Sequence, residues 1–281
     1  MECNRNLVLQ SDFGLVDGAV AAMTGVALTV DIDLKIHDLT HNIPPFDTFE
    51  ASFRLLQTVP FWPKGTVFVS VVDPGVGSKR RSVVVLTEDD HYVVTPDNGT
   101  LTHLLHYVGI REVREIAGDI VREDAERSYT FHGRDVYAYV GALLASGKIS
   151  FKDVGRKLPV STVKELEGTQ ASYSRGKIVG AIETLDVRFG SLWTNIPKGM
   201  FEKLKLRHKE EVELVIYRDK TVVYRSIIKY VHTFAEVDVG EVLCYVNSMN
   251  CIGVAINQGN FAKAYNIGTR EPWHVEFIKR K

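Results

Sequence analysis

Apolar and β-branched runs alternate with helix-like segments from the start of the chain to about Gly155. Strands are predicted at Leu7–Leu9, Leu34–Leu39, Val67–Val72, Val83–Leu86 and Tyr92–Val94, and helices at Asp17–Leu28, Asp47–Leu56, Thr100–Tyr107 and Val136–Leu144. Asp47 is the expected N-cap of the second helix, because its carboxylate can accept a hydrogen bond from a free backbone N–H. Such alternation is typical of βαβ units around a mostly parallel sheet.

The pattern changes beyond Gly155, where the helical periodicity is lost. Residues 165–172 are polar and weakly periodic, which is typical of a linker. Short strands are predicted after it at Lys177–Leu185, Val212–Tyr217, Thr221–Tyr224, Glu241–Val246 and Ile252–Ile256, with a hairpin turn at Arg218–Lys220. We therefore predict an α/β fold with an N-terminal α/β domain, residues 1–165, whose central sheet is mostly parallel, and a smaller all-β domain (barrel or sandwich), residues 172–281.

The composition is that of an ordinary globular protein, with 45% hydrophobic and 25% charged residues. A formal net charge of −1 argues against a nucleic-acid partner. No membrane association is expected either, because the longest apolar stretch, Gly18–Val30, is too short to span a bilayer and the N-terminal residues lack the apolar core of a signal peptide. The three cysteines, Cys3, Cys244 and Cys251, lack metal-binding spacing. Cys244 and Cys251 are expected to be buried, inert thiols, and the protein to be cytoplasmic.

Two motifs carry candidate chemistry. The segment Val71–Arg80 follows a predicted strand and places Asp73 at the strand end, before a proline and two glycines that allow a tight turn. The carboxyl ends of strands in open α/β sheets are where ligands bind. The second motif, Phe131–Asp135, places His132 just before a helical run. We therefore expect Asp73, Arg80 and His132 to converge on one small polar substrate.

Each of these residues, taken singly, has a simpler structural interpretation. Asp73 is suited to capping its own turn, Arg80 to a charged surface, and His132 to a satisfied structural position. Other signals are weaker still: His37 and His41 lack a third zinc ligand at a suitable spacing. Gly75-x-Gly77 lacks the remaining residues of a dinucleotide fingerprint or a phosphate loop.

The two motifs belong to a larger ordered set. The matching segments are Ser11–Gly14 with Asp17, His41–Phe46, Val71–Arg80, Pro96–Gly99, Phe131–Asp135, Asp186–Gly190, Trp193–Ile196 and Asn257–Phe261. In this order they closely resemble the S-adenosylmethionine hydroxide adenosyltransferase family, relatives of the fluorinases and chlorinases. The resemblance extends from residue 7 to about residue 270, which is nearly the whole chain.

The resemblance implies hydrolysis of S-adenosyl-L-methionine to adenosine and L-methionine. The sulfonium is already a good leaving group, so the protein has to hold and activate a water in line with the ribose 5′-carbon, and no metal or organic cofactor is needed. Asp73, Arg80 and His132 match the family's water-holding triad. Asp73 and His132 would each accept a hydrogen bond from the water, and Arg80 would stabilise the developing hydroxide.

The resemblance also assigns substrate contacts. Asp12 would bind the ribose diol, and Phe46 would wall the ribose and sulfonium region. Asp186 would pair with the methionine ammonium, Phe189 would pack on adenine, and Ser248 would bind the methionine carboxylate. The structural alternatives are an Asx turn for Asp12 and a core position for Phe46.

Two positions depart from relatives. Ser191 stands where several relatives place an asparagine on the adenine edge, and Met249 stands where the fluorinases have an arginine after the serine. The family further implies a homotrimer whose active sites lie between the N-terminal domain of one subunit and the C-terminal domain of its neighbour.

Two alternative functions remain open. A halogenase on this scaffold, of the chlorinase type, is disfavoured because Asp73 places a carboxylate where a halide would have to bind. A non-catalytic sensor of S-adenosylmethionine or adenosine would need only the substrate contacts, and the triad would then be unexplained.

Overall fold

The computed structural model describes residues 4–120, 122 and 130–280 of the protein. The chain divides into two compact units, Met1–Leu166 and Glu167–Lys281, and each has its own apolar core. Cys3 lies outside the described residues. In the described part of the chain, no helix has the length and apolar character needed to cross a membrane.

The first unit consists of a sheet with helices packed against it. Its strands are β1 (Asn6–Ser11), β2 (Lys35–Thr40), β3 (Val67–Val71), β4 (Ser82–Thr87), β5 (Tyr92–Pro96), β6 (Ile110–Glu115) and β7 (Lys157–Leu158). Its α-helices are α1 (Ala19–Val30), α2 (Thr48–Thr58), α3 (Thr102–Tyr107) and α4 (Tyr139–Ala145), and a π-helical turn at Gly133–Ala138 leads into α4. Asp47 caps α2 as expected, accepting a hydrogen bond from the Glu50 N–H at 2.9 Å.

The sheet of the first unit has a parallel core and an antiparallel edge. Within the described residues its order is β2-β1-β3-β5-β4-β6-β7. The strands β2, β1, β3 and β5 are parallel neighbours, whereas β4, β6 and β7 join antiparallel. The predicted α/β fold class is confirmed, and the antiparallel edge is an addition to it.

The helix α4 packs closely on the centre of this sheet. A Cβ atom at Gly141 would lie 2.4 Å from Cγ2 of Val69, so only glycine allows this approach of helix to strand. The close packing fixes the π-helical turn, and with it His132, near the carboxyl end of β3.

The second unit is a β-barrel. Its strands are β8 (Ser172–Ser174), β9 (Lys177–Leu185), β10 (Leu192–Pro197), β11 (Glu211–Arg218), β12 (Thr221–Tyr230), β13 (Val242–Val246), β14 (Cys251–Ile256) and β15 (Trp273–Lys279), with short helices α5 (Lys198–Phe201) and α6 (Phe261–Tyr265). Over the residues described, the order is β10-β14-β13-β12-β11-β15-β9-β8, and pairing of β9 with β10 closes the first seven of these strands into a ring. The predicted all-β domain is thus confirmed as a barrel.

Smaller expectations in this unit are also confirmed. The turn between β11 and β12 falls at the predicted position, with Asp219 at φ 54°. Cys244 and Cys251 are both buried free thiols. Burial raises the pKa of Cys251 to about 11 and that of Cys244 further, so neither thiol is a reactive thiolate.

Candidate active site

A cavity lies at the carboxyl ends of two neighbouring parallel strands of the first unit. Asp12 follows β1 directly and Asp73 follows β3 closely; Ser11 pairs with Val71 in the ladder between them. The two carboxylates therefore emerge at the same sheet edge, as expected for a ligand site in such a sheet. The cavity has a volume of about 330 Å³, and its lining includes Asp12, Phe13, Phe46, Asp73 and Phe131.

Asp12 holds the loop that carries Phe46. The Phe46 N–H donates a hydrogen bond to Oδ2 of Asp12 at 2.9 Å. Phe46 has φ 67°, a left-handed conformation that costs free energy for any residue with a Cβ. Phe46 is 69% exposed, so it is not a core residue. The loop presents an aromatic face at the cavity instead of burying it.

A buried histidine supports the Asp12 turn from beneath. Nδ1 of His41 lies 2.7 Å from Oγ of Ser11, and its Nε2 lies 3.1 Å from Oδ1 of Asp38. The Gly14 N–H donates to the His41 carbonyl at 2.8 Å. His37, in contrast, packs edge-on against Trp62. No group of three or more metal-ligating side chains occurs in the described ranges, and His41 has a structural role there.

Arg80 connects the other two residues of the predicted triad. Its Nε donates to Oδ1 of Asp73 at 2.7 Å and its Nη2 donates to Oδ2, so the pair is bidentate. The same Nη2 lies 3.3 Å from Nδ1 of His132. The side chains of Arg80 and Asp73 are only 10% and 6% exposed. Residues far apart in sequence thus form one hydrogen-bonded group beside the cavity.

The contact with Arg80 fixes how His132 can act. A guanidinium only donates hydrogen bonds, so Nδ1 of His132 must accept, and the neutral ring then carries its proton on Nε2. Burial, and then the positive charge of Arg80, lower the pKa of His132, while Asp73 and Asp135 oppose the shift. His132 is therefore neutral over a wider pH range than an ordinary histidine. Its Nε2–H would donate to a water, whereas His132 was predicted to accept a hydrogen bond from it.

The second unit holds the remaining predicted residues on two turns. Between β9 and β10, Oδ1 of Asp186 accepts hydrogen bonds from the N–H groups of Arg188 and Phe189 at 3.0 and 3.1 Å. The Gly190 N–H donates to the Asp186 carbonyl at 2.8 Å and closes the turn. Phe189 projects from it and is 68% exposed.

Tyr245 of β13 was not singled out by sequence analysis, although it lies near Ser191. Burial raises the pKa of Tyr245, and the neighbouring Ser191 and Trp193 side chains oppose the shift. Ser191 is itself buried. Ser248 is exposed on the turn from β13 to β14, where Oδ1 of Asn247 accepts the Met249 N–H at 2.9 Å. Tyr245 thus places β13, the strand before the Ser248 turn, next to Ser191.

Family models match both units. Residues 7–155 match the SAM hydroxide adenosyltransferase N-terminal domain, and residues 180–274 match the corresponding C-terminal domain, where SAM is S-adenosylmethionine. The chain belongs to the SAM hydroxide adenosyltransferase family. The family resemblance found in the sequence motifs is thereby confirmed.

Individual relatives agree with this assignment. A protein of Methanocaldococcus jannaschii named (R)-S-adenosyl-L-methionine hydrolase is 31% identical, over 93% of this chain and 92% of its own length. A fluorinase of Actinopolyspora mzabensis is 28% identical, over 93% of both chains. The crystal structure of an uncharacterized conserved protein from Thermotoga maritima superposes with a TM-score of 0.88 at 30% identity, over 97% of this chain and 99% of that one.

Within this SAM hydroxide adenosyltransferase, the predicted site residues fall into two groups. Those of the first unit, Asp12, Phe46, Asp73, Arg80 and His132, surround or adjoin one cavity. Those of the second unit, Asp186, Phe189, Ser191 and Ser248, lie on two turns of the barrel. Ser82 and Tyr137 contact Arg80 and each other, but neither belongs to a recognisable motif, so neither was predicted as a site residue.

Proposed function

We propose that this chain hydrolyses S-adenosyl-L-methionine to adenosine and L-methionine. Family membership and the hydrolase names of its relatives support this activity. The observation that carries the proposal is the guanidinium of Arg80, which hydrogen-bonds both Asp73 and His132 beside the cavity. A binding protein for the same ligand would have no use for this nearly buried charged group.

In the proposed reaction, water attacks the ribose 5′-carbon in line with the carbon–sulfur bond. The new C–O bond forms as the C–S bond breaks. The electron pair of the C–S bond stays on sulfur, which neutralises the sulfonium and gives the thioether of methionine. Asp73 accepts a hydrogen bond from the water and takes the proton that it releases. Nε2–H of His132 donates to the water oxygen and orients it, and Arg80 stabilises the developing negative charge.

The substrate contacts follow the two groups of residues. Asp12 would accept from the ribose hydroxyls, and Phe46 would cover the ribose and sulfonium. Asp186 would pair with the methionine ammonium and Phe189 would pack on adenine. Ser191, beside Tyr245, would contact the adenine edge, and Ser248 would bind the methionine carboxylate.

We also propose that the chain acts as a cytoplasmic homotrimer with shared active sites. The assembly would join the first unit of one subunit to the second unit of its neighbour. Exposed apolar side chains at both groups of site residues support this arrangement, since Val16 and Leu15 are 103% and 65% exposed and Val187 is 77% exposed. A head-to-tail contact of this kind closes naturally into a ring.

A halogenase activity is the alternative that the fluorinase relative raises. The carboxylate of Asp73 disfavours it, because a halide beside a nearly buried negative charge would be repelled. A sensor without catalysis is disfavoured by the Asp73–Arg80–His132 group.

The decisive experiment is hydrolysis in ¹⁸O-labelled water without added metal. We expect adenosine and methionine in equal amounts, with the label in the adenosine 5′-hydroxyl. Addition of chloride should give no chlorinated nucleoside. Adenosine without label would exclude direct attack by water, and tight binding without any product would indicate a sensor.

A further inference from the structure

The guanidinium of Arg80 has one more hydrogen bond, which points away from Asp73 and His132. Its Nη1 donates to Oγ of Ser82, the first residue of β4, at 3.1 Å. Oγ of Ser82 in turn lies 2.9 Å from the hydroxyl of Tyr137. A chain of hydrogen bonds therefore runs from the proposed catalytic group to Tyr137, which is fully buried.

Tyr137 contacts Arg80 with its ring as well. The ring centroid of Tyr137 lies 5.6 Å from Cζ of Arg80, within the range of a cation–π contact. Tyr137 belongs to the π-helical turn that directly follows His132. Hydrogen bonds in a π-helix join residues five apart, which is the separation of His132 and Tyr137. This turn lets both side chains reach the same guanidinium.

The hydroxyl of Tyr137 is a polar group whose burial costs free energy. Tyr137 lies in the apolar core beneath the sheet, where phenylalanine would fill the same space without a polar group to satisfy. Burial raises the pKa of Tyr137 well above its usual value, so the phenol stays neutral and is not a proton acceptor. A neutral hydroxyl fixed in this place is suited to orienting its neighbours.

We propose that Ser82 and Tyr137 are positioning residues for the hydrolysis, holding the guanidinium of Arg80 in the orientation that bonds Asp73 and His132 at once. This inference rests on the proposed function. Ser82 Oγ accepts a hydrogen bond from Arg80 and forms a second one with the Tyr137 hydroxyl. The second hydrogen bond fixes the orientation of the Ser82 hydroxyl, and so of the acceptor that Arg80 uses. Without them, Arg80 could still pair with Asp73 but would lose its third anchor.

The first test compares Tyr137→Phe with Tyr139→Phe. Tyr139 lies two residues further along the same helical segment and packs against the same core, but it is outside the hydrogen-bond chain of Arg80. We expect Tyr137→Phe to lower kcat roughly 10- to 100-fold with little change in KM, because a small misplacement of a catalytic group is costly. Tyr139→Phe should retain wild-type kcat. Ser82→Ala should be worse than Tyr137→Phe, because it removes the acceptor of Nη1 itself.

The second test is the titration of His132. NMR of its ring protons would follow it in the wild type, in Tyr137→Phe and in the control Tyr139→Phe. The groups that face His132 are Arg80 and Asp73 from the β3–β4 connection and Asp135 from its own segment. A loosened Arg80 repels the imidazolium less, so in Tyr137→Phe the pKa of His132 should rise toward its usual value. The acid limb of the kcat profile should move to higher pH with it. A merely structural role for Tyr137 would lower the melting temperature and leave this titration unchanged.

The outcomes separate the inference from the proposed function. Wild-type kcat and an unchanged His132 titration in Tyr137→Phe would overturn the positioning role. Equal losses of kcat in Tyr137→Phe and Tyr139→Phe would overturn it as well, since only Tyr137 belongs to the series of hydrogen bonds from Arg80. If the wild type releases no adenosine, the proposed hydrolysis fails, and the NMR titration still decides whether Tyr137 orients Arg80 toward His132.

Discussion

At the scale of single residues, Asp73 combines a structural and a chemical task. Its Oδ1 accepts a hydrogen bond from the Gly75 N–H at 3.2 Å, as a turn-capping carboxylate would, and both oxygens bond to Arg80. An asparagine in its place can keep the Gly75 hydrogen bond with its carbonyl oxygen. It cannot take a proton from water, so the substitution separates the two tasks.

We therefore predict that Asp73→Asn lowers kcat by roughly 10²- to 10⁴-fold, the usual contribution of a general base. KM should change much less, since the turn and the cavity persist. Kinetics together with a binding titration of S-adenosylmethionine would measure both quantities. A severe and equal loss of binding would mean that Asp73 serves the turn alone. The same variant, whose negative charge is gone, should be assayed for chloride use.

Phe46 allows backbone strain to be separated from substrate contact. We predict that Phe46→Gly and Phe46→Ala both raise KM, by roughly 2- to 30-fold if the ring faces the sulfonium. Only Phe46→Gly relieves the left-handed backbone at φ 67°, so it should be more stable than Phe46→Ala by up to about 1 kcal/mol. Denaturant unfolding would measure the difference. Unchanged KM in both variants would remove Phe46 from the substrate site.

At the scale of elements, local pattern identified most helices and strands but not their long-range partners. The cap at Asp47 and the turn at Asp219 depend on neighbouring residues, and both were predictable. The strand β10 is buried along nearly its whole length and lacks the alternation that marks a half-exposed strand, so it was missed. The strand β15 was also missed. The antiparallel edge of the first sheet depends on which strands meet, and sequence pattern does not contain this information.

The same limit applies to the site. Asp73, Arg80 and His132 lie in recognisable sequence motifs, and they could therefore be predicted. Ser82 and Tyr137 are brought to Arg80 by the sheet and by a π-helical turn, and neither position has a distinctive sequence pattern. Residues that orient a catalytic group are recognisable only once the chain is folded.

The turn that carries Asp186 and Phe189 depends on one glycine. Gly190 has φ 66°, and a Cβ there would lie 2.0 Å from Oδ1 of Asn260, which caps α6 by accepting the Lys263 N–H at 2.8 Å. We predict that Gly190→Ala displaces Asn260 and destabilises the protein by about 2 kcal/mol, from the left-handed backbone and the lost cap. It should also raise KM, because Asp186 and Phe189 shift with the turn.

Gly199 offers the matched control for this change. It lies in α5, where a Cβ would meet nothing within 4 Å and the backbone is not left-handed. Gly199→Ala should be neutral or stabilising by about 0.5–1 kcal/mol, with KM unchanged. Thermal unfolding and steady-state kinetics on both variants would check the prediction. Equal behaviour of the two would show that the Gly190–Asn260 contact does not hold the substrate turn.

At the scale of the whole molecule, the proposed site is divided between two units. In the first unit, the segment that follows Asp12 presents Leu15 and Val16 to solvent, and in the second unit the turn after β9 presents Val187 and Phe189. Single exposed apolar residues are ordinary, but clusters at two groups of site residues are typical of surfaces that a partner covers. A second copy of the chain supplies both surfaces at once.

Subunit complementation distinguishes a shared site from a site within one chain. An Asp12→Ala subunit and an Asp186→Ala subunit should each be inactive alone, because each lacks one group of substrate contacts. In randomly mixed trimers with shared sites, about one quarter of the sites would join two intact halves, and activity should return to about that fraction of the wild type.

Mixing Asp12→Ala with Asp73→Asn is the control: both changes lie in the first unit, so no site is restored. Sedimentation should confirm a trimer, and differently tagged subunits should confirm exchange. Recovery confined to the first mixture requires sites built from two chains, and no recovery despite exchange would place each site within a single chain.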